Sequence, residues 1–136
     1  MNELVKVYEV GPRDGLQNEA TVLSAAQKGR LIDGLVAAGL SHIEVTSFVH
    51  PAAVPQLADA DEVMAAAVAH YGADGIELTG LVFNDRGFDR AVLSGCRSLA
   101  FGAAVSETFS RRNTHNSPAE AMSTARRLVA RAQAAG

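Results

Sequence analysis

The chain switches between two hydrophobic periods. From about Leu4 to Val10, β-branched residues alternate with polar ones, the two-residue period of a strand. Further on, Leu31, Ile32, Leu35 and Val36 fall on one face of a helix. That helix is predicted to open at Ser24, where Gln27 three positions on completes a capping-box pattern, and to stop at Gly39. The same switch recurs three times. A strand at about His42 to Ser47 precedes a helix capped by Asp59 with Glu62 and running to about His70. A strand at about Ile76 to Phe83 precedes a short helix capped by Asn84 and stopped at Gly95. A strand at about Ser98 to Val105 precedes a helix that opens at Ser117-Pro118-Ala119-Glu120 and runs to about Ala134. The segments Gly11 to about Leu23, Phe48 to Ala58, Tyr71 to Gly75 and Ser106 to Asn116 read as loops and turns.

Strands alternating with helices predict an α/β fold, a parallel sheet covered by helices. Two architectures fit: a small doubly wound sheet, or about the first four units of a (β/α)8 barrel, since 136 residues hold about four such units. In both, sites lie at the carboxyl ends of the strands. Those ends carry Glu9 to Glu19, Glu44 to Pro51, Asn84 to Gly87 and Ser106 to Asn113, all rich in polar side chains. The opposite turns, Gly39-Leu40-Ser41 and Gly95-Cys96-Arg97, are plainer, although Asp74 lies in the third.

Composition narrows the field. At 48% hydrophobic and 20% charged, the chain is not of the disordered class. A single cysteine, Cys96, excludes an intrachain disulfide and fits a reducing compartment. The N-terminus enters a strand with neither a signal core nor a transit segment, and no apolar run approaches a membrane span, so a cytoplasmic location is expected in a bacterium and a mitochondrial one in a eukaryote. Twelve basic against fifteen acidic residues leave no electrostatic footprint for nucleic acid or an anionic membrane.

Two features point to chemistry. Arg13 and Asp14 are adjacent and bracketed by Pro12 and Gly15. A carboxylate there suits a hard divalent cation, and a guanidinium suits an oxygen that gains charge in a transition state; the alternative is a solvated turn. Glu44 lies between Ile43 and Val45 inside an apolar strand, where a buried charge needs a cation, and Arg13 is the nearest candidate by layout. The alternative there is that Glu44 faces a helix N-terminus or solvent, and Glu9 raises the same question.

The run from Glu9 to Glu19, Glu-Val-Gly-Pro-Arg-Asp-Gly-Leu-Gln-Asn-Glu, closely resembles the opening strand and loop of the 3-hydroxy-3-methylglutaryl-CoA lyase family, (β/α)8 barrels of the DRE-TIM metallolyase superfamily. The resemblance continues through Ile43-Glu44, Thr46 to Val49, Pro51, Val54-Pro55-Gln56 and Asp59, through Asn84, and through Gly102 to Ala104 with Ser106-Glu107, Phe109 and Asn113. It implies a TIM barrel whose N-terminal half is this chain. It also implies Mg²⁺- or Mn²⁺-dependent cleavage of an acyl-CoA substrate, 3-hydroxy-3-methylglutaryl-CoA, to acetyl-CoA and acetoacetate. By position, Asp14 is then a metal ligand, Arg13 stabilises the enolate oxygen, Glu44 holds Arg13, and Gln17, Ser47 and Asn84 line the substrate site.

The family's remaining ligands, a His-x-His pair and an Asn, and its catalytic Cys have no counterpart in this chain. His42, His50, His70 and His115 are expected to be structural or on the surface, and Cys96 to be a packing residue. The fourth strand, with Leu99, Phe101, Ala103 and Val105, would be an open edge that needs the missing C-terminal half, a second chain or a homo-oligomeric (dimer) partner to close it. The isolated chain is therefore expected to be inactive. Three other readings remain: a related isopropylmalate or citramalate synthase, disfavoured by Leu16; a non-catalytic half-barrel interaction module; and a flavodoxin-like binding domain, disfavoured because the first loop has no Gly-x-Gly.

Overall fold

The computed structural model describes residues 5–136. Among them, three strands form one parallel sheet in chain order: β1 (His42–Ser47), β2 (Glu77–Val82) and β3 (Ser98–Phe101). The helices are α1 (Ala25–Ala37), α2 (Ala60–Tyr71), α3 (Asp85–Leu93), α4 (Glu107–Thr114) and α5 (Pro118–Ala135). Ser24 and Ser117 start α1 and α5 with complete capping boxes, and the Asn84 side chain caps α3, as their spacing predicts. Gly39 and Gly95 take positive φ at the turns that end α1 and α3.

The two faces of the sheet differ. Ile43 and Val45 of β1 and Leu78 and Val82 of β2 turn toward the helices, where they pack with Ile32, Val63, Met64, Ala67, Phe88, Ala91 and Leu128. The alternate positions Glu44, Thr46 and Thr79 are polar and also buried. The ladder shifts register between Glu44 and Thr46, so Glu44 pairs with Thr79 and Thr46 with Gly80. Gly80 lies on the core side, where the Phe48 ring and the Cys96 sulfur crowd against its backbone. Cys96 is the packing residue expected of it.

Four expectations change. The predicted first strand reduces to one parallel bridge, Glu9 to Ile43, made by the Glu9 N–H on the His42 carbonyl (2.8 Å) and the Glu44 N–H on the Glu9 carbonyl (2.7 Å). Val5 and Val7 are exposed, so nothing on their other side drives a longer ladder; Leu4 lies outside the described residues. The fourth predicted strand stops at Phe101 because its partner β2 ends at Val82, opposite Phe101, leaving residues 102–105 no ladder. Val105 is 97% exposed. The predicted loop Ser106 to Asn116 is instead α4: Ser106 accepts from the Phe109 N–H, Glu107 pairs with Arg111 one turn on, and His115 closes the helix with φ of 60°. Asp59 occupies the N-cap position of α2 but its side chain makes no cap bond, because Lys28 takes the carboxylate.

Replacing Gly80 by alanine places a methyl 2.6 Å from Phe48 Cε2 and 3.2 Å from Cys96 Sγ. Gly80→Ala should lower the unfolding free energy by roughly 1–3 kcal/mol, read as a fall in the urea midpoint.

Candidate functional site

Residues Gly11–Gly15, read from sequence as an open loop, form a π-helical turn. The Val10 carbonyl accepts from three successive amides, those of Arg13 (3.1 Å), Asp14 (2.7 Å) and Gly15 (3.4 Å). Pro12 is buried within the turn, and its ring presets φ for a helical start. The Glu9 carboxylate turns back to accept the Gly11 N–H at 2.6 Å, which answers the question of its role: it braces the turn. A Cβ at position 11 would meet that same oxygen at 2.7 Å, so a larger residue there would displace the Glu9 carboxylate from its bond.

This turn delivers Arg13 to the sheet. Its Nε donates to Glu44 Oε1, and its Nη1 donates to Asp14 Oδ1 at 2.7 Å. Glu44 is buried, with a side chain 5% exposed, and a lone carboxylate there would be costly. The Arg13 side chain is 17% exposed, whereas that of Asp14 is 57% exposed and faces solvent. The second Glu44 oxygen, Oε2, accepts the Tyr8 hydroxyl at 2.8 Å. The expected pairing of Arg13 with Glu44 is thus realised, and the pattern of one buried charge in an apolar strand is explained by it. On the same face, Thr79 of β2 donates to Ser98 of β3 at 3.0 Å, and Ser98 donates to Glu77 at 3.1 Å.

A second ion pair anchors the far end of the turn. Lys28 of α1 is buried, and its ammonium donates to Asp59 Oδ1 and to the Gln56 carbonyl (2.6 Å). Gln56, in the 3-10 turn Pro55–Leu57, donates its side-chain N–H to the Glu19 carbonyl at 2.8 Å. The segment that carries Arg13 and Asp14 is therefore tied to β1 at one end and to the loop after β1 at the other.

The remaining candidates are dispersed. Gln17 is half-buried in the helical turn that continues from Gly15. The buried Ser47 hydroxyl donates to the Leu81 carbonyl at 3.4 Å. Asn84 is exposed at the end of β2, its side-chain oxygen engaged by the Gly87 N–H at 2.8 Å, and it borders a cleft of about 230 Å³ with Phe48, His50, Arg86 and Arg90. Tyr8 and Lys28 were not singled out from sequence. Lys28 was findable, since Lys28, Ile32 and Leu35 share the buried stripe of α1. Tyr8 carried no signal before the pairing of Glu9 with Ile43 was known.

None of the histidines joins the site. His42 lies 3.4 Å from Glu77, the His50 ring accepts the Ala52 N–H, His70 packs edge-on against Tyr71, and His115 is a helix cap. Among the described residues no group of three or more His, Cys, Asp or Glu side chains could hold a metal ion. Mg²⁺ prefers six oxygen ligands in octahedral geometry, so Asp14 alone, one exposed carboxylate, does not fit a divalent cation by itself. No described helix is long and apolar enough to cross a membrane.

Comparison with known proteins places this geometry. A family model described as HMGL-like matches residues 4–136. The chain is 50% identical over 111 residues to hydroxymethylglutaryl-CoA lyase of Pseudomonas mevalonii, covering 82% of this chain and 36% of that protein. It is 44% identical over 131 residues to the mitochondrial hydroxymethylglutaryl-CoA lyase of Mus musculus, covering 96% of this chain and 39% of that one. The solved hydroxymethylglutaryl-CoA lyase of Pseudomonas aeruginosa superposes with a TM-score of 0.78 at 45% identity, covering 88% of this chain and 39% of that chain. An HMG-CoA lyase of Acinetobacter baumannii, solved with coenzyme A and 3-methylmalate, superposes with a TM-score of 0.88 at 35% identity, covering 96% and 42%. The chain thus spans well under half the length of these relatives. Its parallel strands and helices are part of a (β/α)8 barrel and not a small doubly wound sheet.

Two outcomes test the site's electrostatics. Burial pushes the Tyr8 phenol up to about 12, and the hydrogen bond to Glu44 adds to the rise. A raised phenol stabilises the fold below its ordinary pKa of about 10 and withdraws that contribution as pH climbs through the folded value. Tyrosinate absorbance in a Tyr71→Phe background should therefore show Tyr8 ionising near pH 12, with stability falling above pH 10. Lys28→Met leaves the Asp59 carboxylate without its cation and should cost roughly 3 kcal/mol in urea unfolding.

Proposed function

The chain belongs to the HMGL-like family, and from that premise we propose that it carries part of the catalytic site of a hydroxymethylglutaryl-CoA lyase. The reaction is divalent-metal-dependent cleavage of 3-hydroxy-3-methylglutaryl-CoA. A base takes the proton of the tertiary hydroxyl, and the O–H electrons become the ketone C=O of acetoacetate. The bond from the carbinol carbon to the thioester methylene breaks, and its electron pair passes into the thioester as an enolate. Protonation of the enolate carbon then gives acetyl-CoA.

One observation supports this reading above the others: Arg13 is clamped by a buried carboxylate and yet ends beside an exposed one. A guanidinium fixed in advance stabilises an oxygen that gains charge only during bond cleavage, at no cost of reorganisation. Arg13 thus serves the enolate oxygen. Glu44 holds Arg13, and Gln17, Ser47 and Asn84 border the path of the acyl-CoA. Mg²⁺ or Mn²⁺, when bound, would polarise the substrate oxygens. Asp14 would be this chain's contribution to holding it, with the other ligands supplied from outside these 136 residues. The base is likewise not among the residues assigned to this chain, so the 136 residues by themselves should give no turnover. A homodimer, or the remainder of a barrel, would cover the outer edge of β3, which among the described residues pairs only with β2. The cytoplasm is the compartment this reading favours, in keeping with the single, buried and unpaired Cys96.

A coupled acetoacetate assay on the protein joined to its natural downstream sequence tests the roles. Arg13→Gln should lower kcat by about 10²–10³-fold, the usual loss for one oxyanion donor. Asp14→Ala should lose most activity and need more metal for half-maximal rate. Full turnover by Asp14→Ala, or acetoacetate release without added metal after chelation, would overturn the assignment.

A further inference from the structure

The Glu44 carboxylate has two oxygens, and each has its own donor. Arg13 Nε takes Oε1, and the Tyr8 hydroxyl takes Oε2 at 2.8 Å. A carboxylate held by one donor can swing about its terminal torsion, which is broad and two-fold for a glutamate. A second donor on the other oxygen removes that freedom. Tyr8 reaches Glu44 from the segment before the π-turn, which the Glu9 bridge aligns beside β1. The Glu44 residue it reaches lies opposite Thr79 of β2, so the phenol sits on the polar face of the sheet. The phenol keeps its proton over the whole physiological range, and it therefore remains a donor there. The plane of the Arg13 guanidinium is in turn fixed through Nε by Glu44, with Nη1 directed at Asp14.

We propose that Tyr8 is a positioning residue for Arg13: its hydroxyl locks the Glu44 carboxylate in the orientation that presents Oε1 to the guanidinium Nε. The geometric claim stands on these contacts alone, whereas its consequence for turnover rests on the lyase reading. Tyr8 acts through Glu44 and touches no reacting atom.

The test follows the Arg13 Nε–H proton by NMR in the ¹⁵N-labelled 136-residue chain. In the wild type this proton should exchange slowly with water. Tyr8→Phe, with its backbone amide spectrum otherwise retained, should speed that exchange by about tenfold or more, the scale of one hydrogen bond to a charged group. The same substitution in a Glu44→Gln background should add nothing further, because both changes cut one chain of contacts. Exchange within about twofold of wild type in Tyr8→Phe, or effects that add in the double variant, would overturn the proposal. A measurement on the unmodified chain covers the case in which Tyr8→Phe fails to fold. The Tyr8 hydroxyl proton should appear as its own slowly exchanging signal, and its absence overturns the proposal equally. In the joined protein, Tyr8→Phe should lower kcat by about tenfold with little change in KM. Wild-type protein that does not release acetoacetate would sink the lyase reading and leave the exchange result standing.

Discussion

The structure turns on one buried negative charge. Glu44 sits in the middle of β1, flanked by Ile43 and Val45, whose side chains belong to the hydrophobic core. Water cannot solvate its carboxylate, so the protein must bring donors to it. Two arrive from the same short segment: the Tyr8 hydroxyl before the π-turn and the Arg13 guanidinium within it. Each requirement constrains the next. For Arg13 to reach Glu44, the chain must reverse sharply after Val10, which takes a turn with three amides on one carbonyl. The turn must also be held, and Glu9 and the Lys28–Gln56–Glu19 links hold it at its two ends.

The fold supplies the frame for that arrangement by separating the two faces of the sheet. Leu78 and Val82 of β2 face the helices together with Gly80, and Thr79 lies on the face of Glu44. A polar row then crosses the sheet from Arg13 through Glu44 and Tyr8, with Thr79, Ser98 and Glu77 beyond. Residues of α1, α2, α3 and α5 pack on the other face, and α5 is locked to α3 by Arg127 and Arg131 on Asp85 and Asp89. The three pairs involved are largely exposed, so the docking of α5 owes more to Leu128 in the core than to its charges.

Much of this was readable in the sequence, for reasons that are local. Ser24 with Gln27, Asn84 alone and Ser117 with Glu120 are caps whose chemistry is complete within four residues, and each starts a helix where predicted. A glutamate between Ile43 and Val45 announces a buried charge, and the nearest cation by layout is its partner. The failures are equally physical, and most are not local. Asp59 and Glu62 look like a cap, yet a lysine thirty-one residues earlier competes for Asp59 and wins. The strand patterns at the two ends of the sheet look as good as those in the middle. A strand persists only where a neighbour offers a ladder, so one collapses to a bridge at Glu9 and the other stops at Phe101. The polar run Ser106 to Asn116 hid a helix because polarity alone outweighed a serine cap and a Glu-Arg pair one turn apart.

Adjacent residues with opposite fates close the chain of cause. Consecutive positions on an α- or π-helical turn point at most about 100° apart. The turn can therefore bury Arg13 against Glu44 while it leaves Asp14 in solvent, and yet the two stay joined by Nη1 on Oδ1. An extended loop would send neighbouring side chains to opposite sides and part them. The arginine gains rigidity from the sheet, and the aspartate keeps the accessibility that a ligand for an external group requires. A motif that looks like two charges side by side is thus one fixed charge and one presented charge, and the helical turn between Val10 and Leu16 is what makes them different.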